Sequence, residues 1–192
     1  MTPARGDPMQ FDISRPDVVR AVNQRWLVKV WSQNLDGHRV PRWQAFEAQR
    51  LSAMQENLSF LDVVPTADGG IRFLIRFHGE IIRRAYNSPD GRGRYLDEIL
   101  TPGVCPTGIT PYEKAVRDAL PVYTILDVVD RQGRLVHAER LLLPFAHDGE
   151  TVDRVLAAFE FICEEGAFDG HAIMTSGDGP ALRLSAMIEA RA

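Results

Sequence analysis

The chain has 192 residues, 45% of them hydrophobic and 25% charged, which is ordinary globular usage and enough to bury one sizeable core. Its formal net charge of −4 would repel a phosphate backbone, so nucleic acid is excluded as the expected partner. The opening MTPARGDPMQFD holds no signal-peptide core and no stretch approaches the ~18 apolar residues of a membrane span, which makes a cytoplasmic protein without membrane contact the expectation.

Residues 1–13 read as a flexible tail, and residues 14–56 as a helical flank. Within the flank, ISRPDVVRAVNQRWLVKVWSQNL switches to helical periodicity, with Ser14 as cap and Pro16 and Asp17 in the first turn. Val18, Val19, Val22, Trp26, Leu27, Val30 and Trp31 recur at spacings of three and four, an amphipathic stripe that must be covered. A short helical piece is expected through EAQRLSAMQ. From residue 57 the period changes to two: NLSFLDVVP and IRFLIRFHG, joined by TADGG, make a hairpin whose Gly69 and Gly70 allow the tight turn. GEIIRRAYN and RYLDEIL read as short helices. In TPYEKAVRDALP, Thr110 as cap, Pro111 at the first helical position and Glu113 compose a capping box, which predicts a helix starting there and ending before Pro121. VYTILDVVD, RLVHAERLLLPF and TVDRVLAAFEFI follow as three strands with short glycine-bearing links. Residues 164–192 form a C-terminal extension in which PALRLSAMIEA is expected to be a short helix.

This order, helix, hairpin, short helices and antiparallel meander, predicts an α+β fold. Hairpin and meander join in a five-stranded antiparallel sheet with helices on one face, preceded by the amphipathic N-terminal helix, and a pocket lies between helices and sheet.

The segments RFLIRFHGEIIRRAYN, GRYLDEIL and PVYTILDVVDRQGRLVHAERLLLPFAHDGETVDRVLAAFEFI resemble the PAS-domain family, in particular short bacterial proteins that consist of little more than one such domain. The resemblance spans residues 26 to 163, with GRYLDE and ERLLLPF followed by DG as its most specific stretches. It implies a PAS-like domain over residues 57–163, a sheet in the order second, first, fifth, fourth, third, and a sensory or protein-interaction role, sometimes with a bound small molecule. It supplies no catalytic residues to carry over. The reactive-cysteine segment NCRFLQ of flavin-binding members has no counterpart, since Cys105 stands in GVCPTG. The nearest histidine to a haem-ligand position is His78, at a strand end. No cofactor is therefore expected, while an unidentified small molecule remains open.

The five histidines are scattered without metal-binding spacing, and Cys105 and Cys163 signal neither a disulfide nor a zinc site, so no metal is expected. His137 and Glu139 share one face of a strand, as an acid–base pair or as a half-exposed polar face. Arg140 projects from the opposite face, where its planar fork would enter the pocket and bind a carboxylate or phosphate, or would instead pair with a neighbouring carboxylate such as Asp153. Tyr86, Tyr95, Tyr112 and Tyr123 are expected around the cavity, with Phe73, Ile75 and Val116 as apolar walls. Val22, Trp26 and Val30 are the residues of the flank helix expected to pack on the sheet and on a second copy, giving a homodimer. The functional expectation is a stand-alone sensory or adaptor module that binds a small molecule, a signalling partner, or both. The alternatives are a small non-metal enzyme on a cone-shaped α+β fold and a purely structural interaction domain.

Overall fold

The computed structural model describes residues 9–47, 51–101, 104–175 and 180–189. Its strands are β1 (Asp12–Ser14), β2 (Leu58–Pro65), β3 (Ile71–His78), β4 (Val122–Val129), β5 (Leu135–Phe145), β6 (Arg154–Ile162) and β7 (Ala181–Ile188), and its helices α1 (Val22–Gln33), α2 (Trp43–Glu47), α3 (Glu80–Ala85), α4 (Leu96–Ile99) and α5 (Cys105–Asp118). All seven strands lie in one open sheet of order β1-β7-β4-β5-β6-β2-β3.

This corrects the expected PAS-like five-stranded antiparallel sheet. Two strands are added beyond β4, and the sheet is mixed because β1 pairs parallel with β7. The reason lies in β4, whose outer edge would otherwise leave a row of backbone N–H and C=O groups unpaired beside the core. The extension read as a terminal helix supplies the partner, with Val122 opposite Met187 and Tyr123 opposite Ala186. The tail read as loose up to residue 13 then adds Asp12 to Ser14 alongside Ala186 to Ile188. Ser14 is thus a strand residue and caps no helix. The loop before β7 is tied back to the sheet, because the Asp130 carboxylate accepts hydrogen bonds from Gln132 N, Arg134 N and Asp169 N.

Helices cover both faces of the sheet. α3, α4 and α5 lie on the face that carries Leu61, Phe73, Ile75, Val122, Leu142, Val155 and Ala157. α1 and α2 lie on the other, over Tyr123, Ile125, Leu141, Leu143, Phe145 and Leu156. The apolar stripe of α1 is used by its own sheet: Leu27, Val28, Val30 and Trp31 are buried and Trp26 is half-buried, while Val22 is 72% exposed. Polar contacts fix the helix in place. Gln24, fully buried, donates from Nε2 to the carbonyls of Glu139 (3.1 Å) and Ala158 (2.9 Å), and Trp31 donates from its indole to Pro144 O at 2.7 Å. The Glu139 carboxylate sits at the N-terminus of α1, where it accepts from Ala21 N–H and from the Tyr123 hydroxyl, the charge sign that a helix start favours. The helix also begins later than predicted, since Pro16–Val18 form a separate 3-10 turn.

Two further local expectations change. The EAQRLSAMQ piece is a 3-10 turn over Ser52–Asn57, and its residues 48–50 lie outside the described residues. The helix expected from Thr110 begins at Cys105, so Pro111 sits in its interior and Thr110 caps nothing.

Candidate functional site

The helical face of the sheet encloses a cavity of about 20 Å³ between β2, β3, β5 and β6 on one side and α3, α4 and α5 on the other, lined by Ile75, His78, Tyr86, Leu96, Tyr112 and Arg140 among others. That is room for about one water. Ile82, Ile99, Leu100, Gly108 and Phe159 complete its walls together with Ser59, whose hydroxyl donates to Phe77 O at 2.8 Å.

Arg140 is the charge of this cavity. The pairing of β4 and β5 puts it opposite Thr124, on the face away from Glu139, and it is only 2% exposed. Its Nε donates to Thr124 Oγ1 at 3.2 Å, Nη1 to Gly108 O at 3.0 Å and Nη2 to Thr107 O at 3.0 Å. The last contact has a clear cause. In an α-helix Thr107 O would accept from the N–H of residue 111, and Pro111 has none. The guanidinium supplies the missing donor from across the chamber. Three of its five N–H groups are used in this way, and among the described residues no carboxylate lies within ion-pair reach. Pairing with Asp153 is therefore corrected: that carboxylate accepts from His147 N at 3.0 Å.

Tyr112 places its ring 5.5 Å from the Arg140 guanidinium carbon. Burial raises the pKa of both Tyr112 and Tyr86, opposed by the Arg140 charge, so both phenols stay protonated donors. Among the described residues neither hydroxyl has a hydrogen-bond partner. His78 closes the chamber at the end of β3. It is 8% exposed and its Nδ1 meets no partner. Burial, and then the charge of Arg83, pushes its pKa down to about 4 against the weaker pull of Asp90, so the ring is neutral at ordinary pH.

The α4 wall is held by two glycines. A Cβ on Gly108 would stand 2.5 Å from Leu100 Cδ1, and one on Gly91 would stand 2.9 Å from His78 Nδ1 and 3.4 Å from Ile99 Cδ1. Leu100 therefore rests on Gly108 so closely that an added Cβ would make its side chain shift, and Ile99 packs near Gly91 at ordinary contact distance.

The predicted site residues divide accordingly. Ile75, Tyr86, Tyr112 and Arg140 line the cavity. Phe73 packs behind it, with its ring 5.3 Å from that of Tyr112, and Val116 is half-buried in the same core. Tyr95 and Tyr123 do not border it. Tyr95 lies outside, under the Arg72 guanidinium at 3.7 Å, where Arg72 also pairs with Asp97 and Glu98. Tyr123 stands opposite Leu141 and so faces α1. Its position was legible, because the hairpin register that pairs Thr124 with Arg140 sends the adjacent residue to the other face. Leu96, Ile99 and Leu100 fall within RYLDEIL, one of the helices expected to wall the pocket, whereas His78 and Gly108 were missed as lining residues because one stands at a strand end and the other in the stretch read as preceding the helix at Thr110. His137 and Glu139 form no acid–base pair: His137 Nδ1 lies 2.7 Å from Asp127 Oδ1, while Glu139 is engaged by α1.

A larger cleft of about 450 Å³ opens between α3, the end of β6 and the loop around Phe168. Its charges are engaged elsewhere, Arg84 with Asp169 at 3.8 Å and Glu160 with Asn23 at 3.2 Å. Among the described residues no cluster of His, Cys, Asp and Glu could hold a metal, and no helix is long and apolar enough to cross a membrane. The chain matches no family model, no curated protein and no solved structure.

The chamber contains a fixed cation, two phenol donors, a neutral imidazole, the Ser59 hydroxyl engaged with Phe77 O and otherwise apolar walls, and among the described residues no carboxylate. Such a set can orient a bound molecule, and it holds no nucleophile paired with a base.

Proposed function

We infer that this chain is a sensory or adaptor module of the cytoplasm, which takes a small molecule into the chamber between helices and sheet and passes the change to a partner protein. The observation that carries this reading is Arg140: a guanidinium 2% exposed, facing an apolar cavity, with no carboxylate beside it among the described residues. A buried charge of this kind is ordinarily matched by a counter-ion. The PAS-like stretches of the sequence also favour a sensory role.

The size of the cavity favours a second reading. At about 20 Å³ the chamber is nearly filled by side chains, and Arg140 has structural work in bracing the α5 carbonyls next to Pro111. In that reading the chain is an interaction domain with a closed core. Native mass spectrometry of the protein purified from its own host separates the two. A retained small molecule that disappears in Arg140→Gln supports the sensory module, and a spectrum with only the bare chain favours the interaction domain.

A further inference from the structure

Resting on the ligand-binding reading above, we propose that the chamber selects a monocarboxylate with an apolar body, whose carboxylate meets Arg140 and whose entry lifts the α4 wall. The charge count argues for a single anionic head. Arg140 is the one formal cation lining the cavity among the described residues, and His78, with its pKa depressed to about 4 by burial, adds no second positive charge. A dianion would carry an unmatched charge into an apolar interior. The two N–H groups that Arg140 has left and the protonated hydroxyls of Tyr86 and Tyr112 can all donate, which is what a carboxylate requires. The remaining walls are Ile75, Ile82, Leu96, Ile99, Leu100, Gly108 and Phe159, with Ser59, whose hydroxyl already donates to Phe77 O at 2.8 Å, so they favour an apolar tail.

The closed volume requires movement, and the structure indicates where. α4 has four residues and contributes Leu96 and Ile99 to the chamber, with Leu100 directly after it. It is latched at two points, Leu100 over Gly108 and Ile99 over Gly91. Its start is pinned to the edge of β3, where Ile75 N donates to Arg94 O and Gly93 N to Ile75 O. An apolar body that displaces Leu100 and Ile99 would therefore swing α4 about that pinned start. The bound and free states then differ on the outer surface at Asp97 and Glu98, which is where a partner would detect the change.

The test is calorimetric titration of the full chain with hexanoate, hexan-1-ol, hexylammonium and succinate at constant ionic strength, with hydrogen exchange followed over residues 94–101. Hexanoate is expected to bind at least tenfold more tightly than the other three and alone to alter exchange in α4. Arg140→Gln should abolish that preference. Because this substitution also removes the donors from Thr107 O and Gly108 O, Tyr86→Phe provides a milder variant, expected to weaken hexanoate several-fold and hexan-1-ol not at all. Gly108→Ala, which crowds Leu100 out of its seat, should tighten hexanoate by opening the wall in advance. Equal binding of hexan-1-ol, or tighter binding of succinate, overturns the proposed ligand class and leaves the ligand-binding reading standing. The same holds if no probe binds while native mass spectrometry shows a retained molecule. If no probe binds and no molecule is retained, both readings fall.

Discussion

At the scale of single residues, His78 couples the chamber to pH. Its pKa in the folded protein, about 4, lies below the ~6.5 of an unperturbed imidazole. The unfolded chain therefore binds the proton first, and the stability owed to the neutral buried ring is complete above ~6.5. It declines as pH falls through the window down to about 4 and changes no further below that. The full loss would be up to about 3 kcal/mol. Urea midpoints measured across this range should fall for the wild type and stay flatter for His78→Leu, whereas parallel curves would show that the ring is not the titrating group. Arg140 was readable from the parity of β5 and from the apolar residues around it. Its bond to Thr107 O was not, because the cause is a proline 29 positions earlier, as 140 minus 111 in the sequence shows. Locally, Thr110, Pro111 and Glu113 carry every mark of a helix start. A guanidinium from another strand overrides that signal by replacing the N–H that proline lacks.

At the scale of elements, α1 shows how an apolar stripe can be recognised while its orientation is misjudged. Valine and tryptophan spacing predicted a buried face but placed Val22 on it, and the structure turns that face toward Gln24, a polar side chain whose Nε2 donates to two strand carbonyls while its buried Oε1 meets no partner among the described residues. Trp26→Glu should consequently destabilise the folded chain by several kcal/mol, since a charge would enter a half-buried apolar contact, while Val22→Glu should change stability by under about 0.5 kcal/mol. Chemical denaturation of the two variants measures this directly, and light scattering of Val22→Glu beside the wild type shows whether the exposed valine joins two copies. The junction of β3 and α3 is equally specific. A Cβ on Gly79 would stand 2.3 Å from Glu56 O, and Gly79 N donates to Leu58 O at 2.9 Å, so neither backbone can retreat. Gly79→Ala should cost about 1–3 kcal/mol through overpacking, read as a lower thermal midpoint with the sheet's circular-dichroism signal retained at low temperature.

At the scale of the whole molecule, the central strands were legible because their alternation and glycine turns are local signals. The two strands at the β1–β7 edge were not. β1 has three residues, too few for any period to register, and in β7 the first half is exposed and only Ala186, Met187 and Ile188 are buried, so ALRLSAMI shows no clean alternation. β7 is nonetheless integral, because it completes β4 and carries buried side chains into both cores. A chain ending at residue 179 should bind a hydrophobic dye and lose its cooperative unfolding transition, and retention of a wild-type melting curve would contradict this. The strand order also bears on synthesis. Among the described strands the ribosome delivers β1 first and β7 last, yet β7 is the one with which β1 pairs. Until residues 181–188 have cleared the exit tunnel the outer flank of β4 therefore lacks its β7 partner, an interval in which a chaperone or a neighbouring nascent strand could occupy it.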